Sequence, residues 1–354
     1  MPTRVEPAVH GALDFAELER LGLEPDEVLD FSVNSNPFGP SPAVRIAIAA
    51  TPLDRYPDRE SLGLRQALAE RFKTTPAQIL VGNGTAELIW LAAFANLKAG
   101  DQALILGPTF GEYERAIQLM DANVQYLNAS IESGFQPIIS EIDQKLDSTN
   151  FRVVFLCNPN NPTGQVLPAK TIAAWADAHP ETLFIVDEAY LAFVSGMESV
   201  IHVGKTNILI LRSMTKDYAL AGLRLGYVVG DEQVIQTLTS VRPAWNVNAL
   251  AQAAGLAVLN DDAHKQDTLI QLHEEKLFLL EGLTTIGFLP IPSRTQFFLV
   301  PVENATKFRR DLLRQAILVR DCTSFGLPNY IRISPRKHSE NLCLLETLKR
   351  IYAR

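Results

Sequence analysis

Residues 151–164 read FRVVFLCNPNNPTG, an apolar run that ends in a cluster of asparagine, proline and glycine. An apolar run followed by polar residues recurs in residues 182–190, TLFIVDEAY, and in residues 207–216, NILILRSMTK. Apolar runs of strand length without alternation are typical of strands that are buried on both faces of a parallel sheet. Helical patterns lie between these runs. The sequence therefore predicts an α/β fold with a mostly parallel central sheet.

The pattern of segments predicts two domains and an arm. Strands are predicted at residues 79–82, 102–107, 151–157, 182–186, 207–211 and 225–229, with helices at residues 85–97, 110–120 and 169–178. Beyond residue 247 the pattern changes to long helices and isolated strands, at residues 248–259, 263–286, 297–302, 305–316, 318–320, 330–333 and from about 339. We expect a large domain over residues 31–247 and a small α+β domain over residues 248–354. Residues 1–30 have no evident sheet partner and are expected to pack on the small domain or on a neighbouring subunit.

Composition excludes several classes of function. Lysine and arginine total 32 and aspartate and glutamate total 40, which gives a formal charge of −8 without long runs of like charge. This balance argues against a nucleic-acid or membrane partner. The three scattered cysteines form neither a disulfide framework nor a metal-ligand spacing. With no signal-like or membrane-spanning apolar run, a cytoplasmic, reducing location is expected.

Polar clusters follow the predicted strands at the edge where open parallel sheets bind their ligands. Residues 82–87, GNGTAE, combine glycines with a helix start, which suits an anion but also describes an ordinary capped turn. Residues 158–164, NPNNPTG, form a rigid turn whose density of asparagine suits the orientation of a polar ring. Asp187 would be costly to bury unless it is paired, and a protonated pyridine nitrogen is such a partner. A solvated acidic turn is the alternative for Asp187.

Lys216 follows the last of these apolar runs and lies among groups that suit a phosphate. Ser213 and Thr215 offer hydroxyls, and Arg224 offers a planar guanidinium. A lysine in such a place can form an imine with an aldehyde if its pKa falls. A lone lysine is usually a surface charge, but Lys216 follows the asparagine and aspartate clusters in order.

The ordered set GNGTAE, NPNNPTG, DEAY and RSMTK…GLRLG resembles the class I/II aminotransferase family, fold type I of the enzymes that use pyridoxal 5′-phosphate (PLP). The resemblance covers nearly the whole chain. It implies a PLP enzyme with a small-molecule substrate and without a metal. The implied catalytic residues are Lys216, which holds PLP as a Schiff base, Asp187, which pairs with the ring nitrogen, and Tyr190.

The resemblance also implies the remaining ligands. The implied cofactor ligands are Gly84, Thr85, Ala86, Ser213, Thr215 and Arg224 at the phosphate, Phe110 on the ring face, and Asn161 and Tyr190 at the ring hydroxyl. Tyr56 would reach the phosphate from a neighbouring subunit, which implies a homodimer with a shared active site. The candidates for binding the substrate and its anionic groups are Arg332, Arg320, His10, Asn34 and Arg336. Arg320 lies twelve residues before Arg332, where a return strand is expected to bring the two side chains together.

Two branches of the family are similar to this chain. Histidinol-phosphate aminotransferases resemble it at residues 34–40, 56–58 and 220–226. Threonine-phosphate decarboxylases of cobalamin synthesis also resemble it at residues 10–11, 29–32, 215–216, 243–248 and 319–322. The sequence therefore favours a decarboxylase that converts an O-phospho-L-threonine-like substrate into an amine phosphate.

Departures from the decarboxylase pattern leave other functions open. Ala12 stands where a second glycine is usual, and residues 323–330 form a shorter loop than in that branch. The alternative is a histidinol-phosphate-type aminotransferase. Less favoured are a PLP lyase or cyclase on a non-phosphorylated amino acid, and a PLP-fold binding protein without catalysis, against which the intact lysine and aspartate argue.

Overall fold

The computed structural model describes residues 7–352, so residues 1–6 of the predicted arm and residues 353–354 lie outside the described part. The helices are α1 (Phe15–Leu21), α2 (Pro42–Ala49), α3 (Leu62–Phe72), α4 (Gly84–Asn96), α5 (Glu112–Gln118), α6 (Ile139–Ser148), α7 (Ala169–Ala178), α8 (Glu232–Val241), α9 (Ala249–Leu259), α10 (Asp262–Thr285), α11 (Ala305–Leu313) and α12 (His338–Tyr352). The strands are β1 (Leu29–Asp30), β2 (Ile79–Gly82), β3 (Gln102–Gly107), β4 (Asn123–Asn128), β5 (Val153–Cys157), β6 (Leu183–Asp187), β7 (Ile208–Ser213), β8 (Gly226–Val229), β9 (Phe298–Pro301), β10 (Ile317–Leu318), β11 (Arg320–Asp321) and β12 (Tyr330–Ile333).

A seven-stranded sheet in the order β2-β8-β7-β6-β5-β3-β4 forms the centre of the protein. Strands β4, β3, β5, β6 and β7 run parallel, whereas β8 pairs antiparallel with both β7 and β2. The mostly parallel sheet predicted from the sequence is thus confirmed.

Helices cover both faces of this sheet. One apolar cluster packs α4, α5 and α8 against it, and a second packs α6 and α7 against the opposite face. The five residues of β5 and the five of β6 are all buried, as expected for central strands of a covered sheet. Edge strand β4 was not predicted, since it is partly exposed and partly polar.

The C-terminal part contains an antiparallel sheet in the order β11-β12-β9, packed on α10, α11 and α12. The expectation that residues 1–30 lack a sheet partner is wrong at one point. Leu29 and Asp30 pair in parallel with Ile317 and Leu318. A pairing of two residues is too short to produce a periodic pattern, so the sequence could not reveal it. In α1, Leu18 packs into an apolar cluster with Leu313 and Leu318.

Several element boundaries differ from their predictions by a few residues. The helix predicted at residues 110–120 begins only at Glu112, because Phe110 lies in the loop that follows β3. The helix predicted to end at residue 316 ends at Leu313, and Ala316 adopts a left-handed backbone (φ 56°) before β10. The strand predicted at residues 318–320 is two short strands, β10 and β11. Among the described residues, no helix is long and apolar enough to cross a membrane.

Candidate active site

The predicted polar clusters meet at one edge of the central sheet. Strand register places Cys157 beside Asp187, and Asp187 beside Leu211 on the next strand. The loops that leave β5, β6 and β7 therefore start side by side. Asn158–Gly164, Asp187–Tyr190 and Ser213–Lys216 are brought together as the sequence predicted, because parallel strands end at the same edge.

Lys216 lies half-buried at the centre of this group. Burial, which disfavours the charged amine, lowers its pKa to about 8, and the positive charges of Arg332 and Arg224 act in the same direction. A substantial fraction of neutral amine near neutral pH is what a lysine needs to form an imine or accept a proton.

Asp187 is a buried carboxylate, with 4% of its surface exposed. Its Oδ2 accepts a hydrogen bond from the Tyr113 hydroxyl at 2.8 Å, and its Oδ1 accepts from the Ala189 amide at 3.0 Å. Burial raises the pKa of Asp187 despite these two donors. A cationic partner would restore the ionised form, and the protonated ring nitrogen of PLP meets that need.

The start of α4 forms a cradle that fits a phosphate. Gly84 has a φ of 80°, and a Cβ there would lie 2.9 Å from a terminal nitrogen of Arg224. Arg224 itself adopts a left-handed backbone (φ 57°), which is sparsely populated outside functional sites for residues other than glycine. The hydroxyls of Ser213 and Thr215 lie 2.7 Å apart at the end of β7. Thr85 and Ala86 stand in the first turn of α4, where backbone amides are free to bind an anion.

Tyr190 and Asn161, which the resemblance assigns to the ring hydroxyl, lie among other buried polar side chains. The Tyr190 hydroxyl accepts a hydrogen bond from the Asn34 side-chain amide at 3.3 Å, and burial raises its pKa to about 12. The side-chain oxygen of Asn161 accepts a hydrogen bond from Arg332. Tyr190, Asn161, Asn34 and Arg332 are all buried and form two hydrogen-bonded pairs, and the charge of Arg332 acts on Tyr190.

The density of asparagine in the loop after β5 has a partly structural cause, contrary to the argument from the sequence. The Asn158 side chain bonds both the amide and the carbonyl of Leu167, at 2.8 and 2.9 Å. The Asn160 side chain bonds Thr109, Thr163 and the carbonyl of Pro108. Only Asn161 in this loop joins the polar group around Arg332.

Arg320 and Arg332 are Cα partners across antiparallel strands β11 and β12. The sequence predicted this proximity from their spacing. The guanidinium of Arg320 donates to the carbonyls of Val9 and His10, at 2.6 and 2.9 Å, and to the Ser324 hydroxyl at 2.6 Å. Burial, followed by the charge of Arg332, lowers the pKa of Arg320 to about 10.

The remaining candidates have other partners. Arg336 donates to the Asp30 carbonyl and to Glu340, at 2.9 and 2.8 Å. Neither hydrogen bond joins Arg336 to Arg332. The His10 ring bonds Glu112 at 2.7 Å and lies 5.4 Å from the ring of Phe110. Tyr56 is 78% exposed and stacks on Trp245, with ring centroids 4.8 Å apart.

Two residues near the site were not predicted from the sequence. Tyr113 is fully buried and bonds Asp187, and Glu112 is buried and bonds His10. No helical spacing reveals Tyr113, because Phe110 lies in the loop before α5. No sequence signal links Glu112 with His10, since 102 residues separate them.

The chain is similar in sequence to a known family and to several known proteins. A profile of the family described as "Aminotransferase class I and II" matches residues 26–348. The histidinol-phosphate aminotransferase of Moorella thermoacetica is 31% identical over 360 residues, which cover 99% of this chain and 91% of that protein. Seven further relatives, 30–34% identical, carry the same activity in their names.

Solved structures are similar over most of the chain. Histidinol-phosphate aminotransferase from Sinorhizobium meliloti, in complex with pyridoxal-5′-phosphate, has a TM-score of 0.86 at 24% identity and covers 95% of this chain and 93% of that chain. At this identity the similarity establishes the fold alone. L-threonine-O-3-phosphate decarboxylase from Porphyromonas gingivalis has a TM-score of 0.80 at 26% identity and covers 92% and 99% of the two chains.

Proposed function

Because this chain belongs to the class I and II aminotransferase family, we propose that it is a PLP-dependent aminotransferase of the histidinol-phosphate type. The chain has PLP fold type I, and the cofactor is PLP. The sequence favoured a phosphothreonine-type decarboxylase instead. The names of the relatives support the aminotransferase better, while the decarboxylase remains the second candidate because a decarboxylase structure is also similar.

The observation that carries the proposed binding of anionic substrates is a pair of buried arginines without carboxylate partners. Arg320 and Arg332 are 5% and 4% exposed, and within residues 7–352 neither forms a salt bridge. The Nε of Arg332 is buried and has no hydrogen-bond partner within those residues. Buried charges are normally paired, so two anionic groups from a substrate would complete the site.

An aminotransferase explains both arginines because it accepts two different substrates in turn. A dicarboxylic amino donor such as glutamate would place one carboxylate at each guanidinium. Histidinol phosphate, which lacks a carboxylate, would place its phosphate at the distal arginine. We assign Arg332 to the carboxylate next to the reacting carbon and Arg320 to the distal anion. Asn34 and His10 are proposed as further substrate contacts, and Arg336 as a supporting residue of Asp30.

PLP, when bound, withdraws electrons from the substrate carbon that carries the amino group. The remaining steps fall to residues of the chain. Lys216 holds the cofactor and then moves a proton to and from the reacting carbon through Nζ, and its pKa near 8 suits both roles. Asp187 holds the proton on the ring nitrogen. Arg332 and Arg320 fix both ends of the dicarboxylic substrate, and Arg320 fixes the phosphate of histidinol phosphate, which decides which bond is aligned for cleavage.

The arginine assignment predicts different losses for different substrates. Arg320→Ala should weaken the binding of histidinol phosphate far more than the binding of non-phosphorylated histidinol, since only histidinol phosphate carries the distal anion. Arg332→Ala should weaken glutamate binding. Each lost charge-assisted contact corresponds to about 1.5–3 kcal/mol, or roughly a 10- to 150-fold rise in KM.

Steady-state assays with histidinol phosphate and 2-oxoglutarate test this proposal, with the exposed Arg310→Ala as the matched control. A parallel assay with O-phospho-L-threonine measures release of CO2. Transfer of the amino group without CO2 release supports the aminotransferase. Release of CO2 without transfer replaces it with the decarboxylase. Equal losses of both variants on phosphorylated and non-phosphorylated substrates would exclude a phosphate role for either arginine.

We further propose a homodimer with a shared active site. The Tyr56 ring is exposed in the single chain and lies on Trp245, which has a left-handed backbone (φ 54°). A large exposed aromatic pair is more typical of an interface than of a free surface. Tyr56→Ala should weaken PLP binding by about tenfold, as for the loss of one hydrogen bond to a phosphate. Equilibrium sedimentation and PLP titration measure both effects, and a fully active monomer would contradict the proposal.

The domain limits stay a proposal: an arm over residues 1–30, a large domain over 31–247 and a small domain over 248–354. Contacts of α1 and β1 with residues 313–318 support packing of the arm on the small domain. We also propose a cytoplasmic location. All three cysteines are unpaired, and two of them are buried, which suits a reducing compartment.

A further inference from the structure

Glu112 is a buried carboxylate beside the proposed active site, and none of the proposed catalytic steps uses it. It is 5% exposed and accepts hydrogen bonds from the Trp90 indole at 2.8 Å and from His10 at 2.7 Å. Arg115 lies 4.0 Å away and also covers the Trp90 ring. Trp90 and Arg115 already satisfy the buried carboxylate in part, so its bond to His10 acts chiefly on the N-terminal segment.

Residues Val9–Ala12, which we call the N-terminal strap, are held at three points. The His10 ring is held by Glu112, and the carbonyls of Val9 and His10 are held by Arg320. The Ala12 amide donates to the Ser32 hydroxyl at 2.8 Å. The backbone also lies directly on Ser32, because a Cβ on Gly11 would be 2.7 Å from the Ser32 carbonyl.

The strap includes a strained residue. Ala12 has a φ of 86°, a conformation that favours glycine and is unfavourable for residues that carry a Cβ. Such a conformation persists only where surrounding contacts determine it. Val9 and His10, which Arg320 and Glu112 hold, come shortly before Ala12 in the chain. Their contacts are therefore placed to maintain the backbone conformation of Ala12.

The strap spans the space between the cofactor side and the arginine side of the site. At one end, the His10 ring contacts Phe110, the residue proposed to stack on the cofactor ring. At the other end, the strap caps Arg320, and it rests on Ser32, whose carbonyl accepts a 2.6 Å bond from Arg332. Arg320 therefore contacts the strap directly, and Arg332 is linked to it through Ser32.

We infer that Glu112 is a positioning residue that fixes the N-terminal strap as one wall of the substrate site. It acts through His10: with Nε2 directed at Glu112, only Nδ1 of His10 is left to face a ligand. The consequence for substrate binding rests on the proposed function, but the clasp between Glu112 and His10 does not. Glu112 itself contacts neither the proposed cofactor ligands, Lys216 and Asp187, nor the proposed substrate ligands, Arg320 and Arg332.

Hydrogen exchange of the PLP-loaded protein without substrate tests the clasp. In Glu112→Ala, peptides covering residues 8–13 should exchange about tenfold faster or more, as expected for loss of a hydrogen bond to a charged group. Glu112→Gln should give a smaller change. Glu114→Ala, on the same helix, is the matched control and should leave the strap unchanged. Unchanged exchange in Glu112→Ala overturns the inference.

A double-mutant cycle with His10→Ala shows whether Glu112 acts through His10. Both single variants should raise KM for histidinol phosphate about tenfold, with kcat changed less than about threefold. The double variant should be no worse than either single variant. Additive losses, or faster exchange without any change in KM, would refute the positioning role. If Glu112→Ala does not fold, hydrogen exchange of residues 8–13 in Glu112→Gln and His10→Ala decides the outcome, and unchanged exchange in both variants overturns the inference. A wild-type protein that is inactive on histidinol phosphate refutes the proposed function, whereas the exchange result still judges the clasp.

Discussion

Replacing Lys216 with alanine is expected to remove both covalent attachment of PLP and essentially all catalysis. The half-buried amine has a pKa near 8 and is the single lysine placed between Asp187 and the phosphate cradle in the described chain. Losing a nucleophile that also moves the proton should reduce turnover by about 10⁴-fold or more. Because alanine leaves the strand and loop intact, the protein should remain folded.

Borohydride reduction followed by peptide mass analysis measures this effect. The unaltered protein should carry reduced PLP on Lys216, and its visible absorption band should disappear on reduction. Lys170→Ala, at an exposed site on α7, is the matched control and should retain both signals. A Lys216→Ala protein that still carries a reducible imine would show that another amine holds the cofactor.

Replacing Asp187 with asparagine is expected to have the second largest effect. Asparagine preserves the shape of the side chain and can still accept the bond from Tyr113, but it cannot stabilise a proton on the ring nitrogen. Loss of such a charged contact in a buried site should lower kcat by about 10³-fold. PLP affinity should fall by roughly 10- to 150-fold, as for a charge-assisted hydrogen bond.

PLP titration and single-turnover rates separate these two losses. Asp177→Asn is the matched control, because Asp177 is an exposed carboxylate that bonds only Lys205 in the described contacts. Near-normal turnover of Asp187→Asn would contradict the assigned role. A loss of PLP affinity without a loss of kcat in the fully loaded protein would restrict Asp187 to cofactor binding.

The sequence predicted the edge of the sheet where the site lies, because an apolar strand followed directly by polar residues is visible as a pattern in the sequence. Lys216, Asp187 and Asn161 were placed together for this reason. The proximity of Arg320 to Arg332 could likewise be predicted, since a short return strand joins positions twelve residues apart.

Partners that are distant in the chain could not be predicted. Nothing in the sequence indicates that Arg320 holds the carbonyls of Val9 and His10, or that Glu112 bonds His10, because these contacts depend on the packing of separate elements. Asn158 and Asn160 show the converse error. Their residue type suggested ligand binding, but the loop itself uses both side chains for its own backbone and turn contacts.

The most direct test of the central claim is a half-reaction of the PLP-loaded protein with histidinol phosphate alone. An aminotransferase should consume one equivalent of substrate per active site, lose the visible band of bound PLP, and regain it when 2-oxoglutarate is added. Loss and recovery of the band without CO2 is the predicted result. A band that does not change with histidinol phosphate, together with release of CO2 from O-phospho-L-threonine, would contradict the account.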